Sequence, residues 1–540
     1  MNTRIRWLLA AAFLVSSLPM GGQTPGAGAG LHRVWAITNT RIVVSPSKPA
    51  LDKATVIVRD GLIEAVGAGL AVPPDAETID GSKLTVFPGL FDALGASLLK
   101  LPEEKFDETK IYTGNYTDKD RGVTPELKAF EYLSLGKSTV EKYHKLGILA
   151  AQVLPNRGIL TGQASVTALG DADKNKAVLL KDAALGVAFS PAGVSLFPNS
   201  LMGTVAYLRQ AFSDALDYDL RSGRWRAEMK GSARPAHNSQ LEILAGFLQG
   251  RKPVIFFCND RHDILRALRL AEEFKLNSFV ADLGGEGWRV IPELQKAKAR
   301  VFCTVAFKPP VTSLMTKLGK AEKEKAEKEI YPKNPAKLAE AGVPFAFSSL
   351  GTDDPKSYME GVQKAVEAGL AKTKALEALT AVPAAFLGLD RALGTVEPGK
   401  IANLVLAEDD LLAKDPKVRY VFADGERVDL VSAKAKEGEK PTVNVSGRWE
   451  IAAEGIPKLP IDFVQEEGSL SGKLTTPYGV FDFTGGSVSA KDIYFEVNLA
   501  VGGQQIDLYF SATVEGDTMR GTIVQGTSGS TEFTAKRIPG

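Results

Sequence analysis

The chain is 540 residues long, 44% apolar and 24% charged, with 65 basic against 64 acidic side chains. One hydrophobic core does not serve that length, so two or three domains are expected. A charge balance so near zero excludes the electrostatic footprint of a nucleic-acid binder or of a protein held on an anionic membrane.

Residues 1–22 are set apart from the rest. Arg4 and Arg6 precede the apolar run WLLAAAFLV, and small residues with a helix breaker follow in SSLPMGGQ. A basic start, a short apolar core and a small-residue exit predict a secretory signal peptide. The run is too short for a span of about 20 residues, and no later stretch qualifies. An exported protein without a membrane span after signal removal is therefore expected, periplasmic or extracellular, with an uncleaved signal anchor as the alternative. No cysteine lies near the cleavage region, which argues against a lipid anchor. The two cysteines, Cys258 and Cys303, sit in the apolar runs VIFFC and VFCTVAF. Buried free thiols are expected there, and a disulfide between them is the alternative.

From residue 34 to 86 the chain reads as strands: ITNTRIVVS, ATVIVRDGLIEAVGAG and ETIDGSKLTVF are rich in Val, Ile and Thr and punctuated by DG and GS turns. From 125 to 393 apolar runs such as ILAAQVL, PVIFF, SFVADL and VPFAFSSL alternate with helical stretches such as DILRALRLAEEF. Alternation of this kind predicts a parallel sheet with helical crossovers, and about 300 residues of it favour a (β/α)8 barrel over 87–394. Strands return in 395–432 and are expected to complete a small β-sandwich with 34–86. A Lys/Ala/Glu/Gly linker occupies 433–443. The tail 444–540 reads as short strands with glycine turns, a closed barrel or sandwich, and its phrases EEGSLSGKL and VEGDTMRGTI echo one another.

Three phrases in order, ATVIVRDGLIEAVG, VFPGLFDA and LTAVPAAFLGLDRALGTVEPGKIANLVL, resemble the amidohydrolase superfamily over roughly 34–432, nearest its imidazolonepropionase-like and dipeptidase-like branch. PVIFFCNDRHDILRALRLAEEF resembles the fifth strand and helix of that fold, and FVADLGGEGW the sixth strand. The tail, opening with Gly447-Arg448-Trp449, resembles a lipocalin-like domain more weakly. The resemblance implies a (β/α)8 barrel holding one or two divalent metals such as zinc, which activate a water for hydrolysis of C–N or related bonds. Its ligands would be a His-x-His pair after strand 1, a bridging residue on strand 4, histidines on strands 5 and 6, and an aspartate on strand 8.

Aligned on those phrases, the ligand positions fall at Leu94 and Ala96 in DALGAS, Phe257 in VIFFCN, Leu283 in ADLGGEGW and Leu350 in FSSLGTDD. None offers a lone pair to a metal, which needs at least three nitrogen, sulfur or oxygen donors. The strand-4 position is open between SVTALG and LGVAFSPAG. A simple count agrees, since the chain has four histidines, His32, His144, His237 and His262, and no two have ligand spacing. His144 lies in the mixed-charge stretch STVEKYHKLG and is expected on an exposed helix face. Five apolar replacements describe a site filled in, so no metal cofactor and no catalytic residue is assigned.

Polar residues expected at the mouth are Asp260, Arg261, His262, Glu286, Lys308, Asp353 and Asp354, most simply as caps and surface charges. A pocket for a small-molecule ligand would draw on Asn156, Arg157, Asp260, His262, Glu286 and Asp353. The phrase NRGILTGQAS has the composition of a ligand-facing loop but not the Lys-Ser/Thr ending of a phosphate loop. The charged insert 317–335 reads as a solvated helix, supported by the pair Glu324–Lys328, or as a lid. Trp449 is expected in the core of the last domain.

Three functional readings follow. The first is an exported protein of this superfamily without metal chemistry, acting as a binding or partner subunit, either in a homo-oligomer or with an active homologue. The second is an active hydrolase of C–N bonds, in dipeptides or elsewhere, using a non-standard site. The third is a binding module acting through its last domain.

Overall fold

A computed structural model of the protein describes residues 34–102, 110, 117–170, 174–190, 196–308, 320–408, 410–414, 416–430, 440–453, 456–501, 504–525 and 530–538. The signal segment expected at 1–22 and most of the linker lie outside the described residues. The chain divides into two compact units, one ending at Leu430 and the other beginning at Val431.

The first unit opens with β1 (Val34–Ile42), β2 (Leu51–Arg59), β3 (Leu62–Ala68), β4 (Ala76–Asp80) and β5 (Thr85–Pro88). The DG phrase makes the β2–β3 turn, with Asp60 and Gly61 both at positive φ, as a two-residue hairpin requires. Before returning to this sheet, the chain runs through the α/β region. That region contains β6 (Leu90–Gly95), β7 (Ile148–Val153), β8 (Leu160–Gln163), β9 (Ser165–Ala168), β10 (Val178–Leu180), β11 (Leu185–Ala188), β12 (Pro253–Cys258), β13 (Asn277–Asp282), β14 (Arg300–Thr304) and β15 (Phe345–Ser348). It ends with β16 (Leu404–Ala407), β17 (Val418–Ala423) and β18 (Glu426–Asp429).

The two flanks meet because β16 pairs antiparallel with β5, placing Leu404 opposite Pro88. The result is one hydrogen-bonded sheet of eight strands in the order β18-β17-β16-β5-β1-β2-β3, with β4 beside β1, built from both flanks where a small composite β-sandwich was expected. Trp35, Ile37, Val56, Val86, Leu404 and Phe422 form its core.

In the α/β region β11 to β15 run parallel, in sequence order, and β6 runs parallel to β7. One strand departs from the expected all-parallel barrel. Residues 160–168, which span the end of the stretch 156–165 expected as a ligand-facing loop and the start of the expected strand SVTALG, form a reversed strand bent at Ala164. Its first half, β8, pairs antiparallel with β11, and its second half, β9, pairs antiparallel with β7. The glycine of NRG serves packing here: Gly158 has φ 90°, and a Cβ on it would overlap the backbone of Gly122. Composition marks a strand but not its direction, so the reversal was not legible.

Helices α1 (Lys137–His144), α2 (Leu201–Ala227), α3 (Arg261–Glu273), α4 (Asn334–Glu340) and α5 (Pro355–Glu367) cover the outside. His144 does not face solvent. It is 4% exposed, and its Nε2 lies 2.5 Å from the Leu169 carbonyl oxygen. Burial lowers its pKa and favours the neutral ring. The two cysteines are free and buried, on strands separated by β13. Of the charged insert 317–335, residues 317–319 lie outside the described residues. The remainder is not one solvated helix but a short α-turn, one π-turn (Ala326–Ile330) and a 3-10 turn, with Ala326 and Tyr331 buried and Glu324 and Lys328 exposed.

The second unit is a closed antiparallel barrel of eight strands, from β19 (Gly447–Ala453) to β26 (Ser530–Arg537). The two echoing phrases are both hairpins, closed at Glu466 opposite Ser469 and at Glu515 opposite Thr518. Trp449 is fully buried and donates its indole N–H to the Val445 carbonyl at 2.8 Å. Its neighbours Phe463, Phe483, Phe495, Phe510 and Phe533 fill the interior, with successive ring centroids 4.6–6.0 Å apart.

Candidate functional site

In the (β/α)8 barrel that the family resemblance implies, the chemistry belongs to inward-facing residues at the carboxyl ends of the strands. Strand periodicity identifies them. In β12, Val254, Phe256 and Cys258 pack against the helices, whereas Ile255 and Phe257 join an interior cluster. The same alternation turns Phe279 and Ala281 of β13 inward, Phe302 of β14, and Ala346 of β15.

All five positions aligned with metal ligands belong to this cluster. Leu94, Phe257 and Leu350 are buried members, at 0%, 3% and 5% exposure, and Ala96 and Leu283 pack against them. Beside β12 runs the parallel strand β11, in the second of the two stretches weighed for the strand-4 position; its Ala188, and Ala184 just before it, join the same cluster. Gly186 abuts the Thr161 hydroxyl. Deeper in, Phe279, Phe302 and Phe386 make mutual ring contacts at 5.1, 5.3 and 5.8 Å. A cavity of about 20 Å³ remains beside them, lined also by Gln152, Ala184 and Ile255. Its size suits about one water.

Polar atoms in this interior serve the backbone. Ser348 Oγ donates to the Leu94 carbonyl at 2.7 Å and Thr304 Oγ1 to the Leu350 carbonyl at 2.9 Å. Gln152 Oε1 and Thr161 Oγ1 are buried without a hydrogen-bond partner. Among the described residues no group of three or more His, Cys, Asp or Glu side chains is placed to hold a metal ion. The residues present do not fit the divalent metal that the family resemblance implies.

The polar residues around the mouth are tied into helix starts and loop joints. Asp260 caps α3, accepting from the His262 and Asp263 amides at 2.8 and 2.9 Å, as its place before DILRALRL suggested. Arg261 Nε lies 3.4 Å from His262 Nε2. Glu286, 9% exposed, accepts from the Arg261 amide at 3.0 Å and pairs with Arg289 at 3.3 Å, so it joins the loops after β12 and β13. Lys308 Nζ donates to the Gly351 carbonyl and Asp354 caps α5 through the Ser357 amide. Asn156, Arg157 and Asp353 are on the surface. Asp260, His262 and Glu286 are thus brought together, whereas Asn156, Arg157 and Asp353 are exposed and make no hydrogen bond or ion pair with them.

Two buried carboxylates escaped the sequence reading. Asp92, of the PGLFDA phrase, is 2% exposed. Its Oδ2 accepts from Ser349 Oγ at 2.5 Å and its Oδ1 from the Ser349 amide at 3.2 Å. Asp282, fully buried at the end of β13, accepts from the Glu286 and Gly287 amides at 3.0 and 2.8 Å and from Asn334 Nδ2 at 2.9 Å. Burial pushes both up to about 6, against the opposing effect of these hydrogen bonds. The only sequence signal was an acid inside an apolar strand with no histidine beside it.

Residues 292–428 match the family model described as Amidohydrolase family. Among solved structures, an amidohydrolase from Thermotoga maritima superposes with a TM-score of 0.59 at 24% identity, covering 73% of this chain and 99% of its own. A prolidase complexed with N-methylphosphonate-L-proline gives 0.46 at 15% identity, covering 73% and 99%. Molinate hydrolase gives 0.42 at 15%, covering 74% and 95%. No curated protein matches the chain. The chain thus contains a segment, 292–428, that matches the amidohydrolase family model, shares the fold of the Thermotoga protein over most of its first unit, and carries an all-β barrel as its second.

Proposed function

We propose that this is an exported protein of the amidohydrolase group whose barrel interior serves as an apolar core, and that it works as a binding or partner subunit without metal-assisted hydrolysis. One observation carries the proposal. The five positions aligned with metal ligands are Leu94, Ala96, Phe257, Leu283 and Leu350, and all five pack into a single apolar cluster. An apolar side chain at such a position needs no metal to offset its burial, whereas a lone histidine or carboxylate there would be costly. A drifted site would carry mixed polar residues and leave space for a water nucleophile. The second reading, a hydrolase with a non-standard site, requires a polar cluster open to substrate. The mouth residues offered for that role, Asp260 and Glu286, are instead engaged by backbone amides.

Metal analysis of the mature protein, produced with added zinc and manganese, tests the proposal. Less than about 0.1 equivalent per chain, with no turnover of dipeptides or simple amides, is the expected result. One or two equivalents per chain would overturn it. Co-purification from the native source with a metal-bearing relative would identify the partner role. A lone inactive homodimer would remove the active-homologue version of it.

A further inference from the structure

The strands around the interior belong to two hydrogen-bonded sheets, β10-β9-β7-β6 and β15-β14-β13-β12-β11-β8. They are continuous at Ala164, between β8 and β9, whose backbone is fixed to Ala183 and Ala184 by bonds of 2.9 and 2.7 Å. At the opposite side β6 faces β15, and no strand ladder forms between them.

Side chains replace the ladder there. One backbone bond crosses, from the Ser349 amide to the Leu94 carbonyl at 3.1 Å. Ser348 Oγ donates to the same Leu94 carbonyl, and Ser349 donates to Asp92 through both its hydroxyl and its amide. The Tyr358 hydroxyl, on α5, lies 3.1 Å from the Phe91 carbonyl of β6 and 3.4 Å from the Phe347 carbonyl of β15, so one proton is shared between both strand edges. By contrast β12 and β13 are matched at six successive residue pairs, from Pro253 with Asn277 to Cys258 with Asp282. Buried backbone groups must find partners, and apart from that one backbone bond these strand edges find them in the side chains of Asp92, Ser348 and Tyr358.

We infer that the wall of this domain has a built-in joint between β6 and β15, stapled by Asp92, Ser348, Ser349 and Tyr358, and that it opens locally there with Ala164 as the opposite pivot. Leu94 and Leu350 lie on the two sides of the joint and in the interior cluster, so opening it uncovers the apolar interior from the side. The inference rests on strand pairing alone and stands whether or not the interior carries chemistry.

Hydrogen exchange followed by mass spectrometry on the full-length protein tests it. Peptides spanning 90–96 and 345–351 should exchange at least about tenfold faster, after correction for intrinsic rates, than those spanning 253–258 and 277–282. Tyr358→Phe keeps the ring and loses the shared donor. It should speed exchange at the joint by about fivefold, the effect of one net hydrogen bond, and leave 253–282 unchanged. Equal protection of both regions in the wild-type protein would overturn the inference. So would a Tyr358→Phe protein in which both regions accelerate alike, or in which the joint does not respond.

Discussion

Asp92 and Leu94 are two residues apart on one strand and were treated in opposite ways. Asp92 is a buried acid held by Ser349, and Leu94 is an apolar residue where the aligned family would carry a histidine. Asp282 and Leu283 repeat the contrast at the end of β13, the acid held by two amides and Asn334, the leucine packed against the interior cluster. A buried polar group survives where the protein itself supplies its partners. At the positions that the family resemblance aligns with metal ligands, apolar side chains stand and need no partner.

The contrast is most exposed to failure at Phe257. If the interior is a true core, Phe257→Ala should cost about 3–5 kcal/mol, as large-to-small substitutions of buried aromatics do, read as a shift in the urea midpoint at constant slope. A loss below about 1 kcal/mol would mean the position lines an open site.

The acids make the next largest prediction. Both have folded-state pKa values raised to about 6, so between pH 4 and 6 the folded chain binds more protons than the unfolded one. Stability should therefore be greatest at the acid end of that window, fall as pH rises through it, and level off above, by up to about 3 kcal/mol for each group. Asp92→Asn should remove its share of that slope in urea titrations run from pH 4 to 7. A slope of the opposite sign would place the acids in a charged, paired environment.

Asp260→Ala removes a helix cap and should cost about 1 kcal/mol. A cost near zero, together with altered ligand retention, would return Asp260 to the list of binding residues. The smallest expected effect is that of a chelator. EDTA should leave the Tm unchanged, since no group of donors among the described residues is placed to bind a metal that could stabilise the fold. A fall of several degrees would break the comparison outright.

Much of this was legible in the chain. The flanking strands, the αβ alternation, the Asp260 cap and the buried Trp449 each follow from local pattern, because propensity and periodicity act over a few residues. The inward positions were legible too, since a period of two carries Phe257 to the same face as Ile255. Strand direction was not: 156–165 reads as a ligand-facing loop and SVTALG as a strand, whereas 160–168 is one reversed strand held between β7 and β11. His144 misled because KSTVEKYH is mixed in charge, and only Leu169 supplies the carbonyl that buries it. The joint at β6 and β15 was invisible for the same reason, being built from residues about 250 positions apart.

The closed barrel of the second unit sets an order on biogenesis. Its first strand is completed only by its last, with Trp449 opposite Arg537. A chain emerging N-terminus first therefore carries β19 with an open edge until the final few residues are released, and closure waits on contacts of high sequence separation. Loss of residues 530–537 should leave β19 and β25 (Thr518–Gln525) as unpaired edges open to a second chain. An intact β26 thus closes the edge through which two copies of this barrel would otherwise pair.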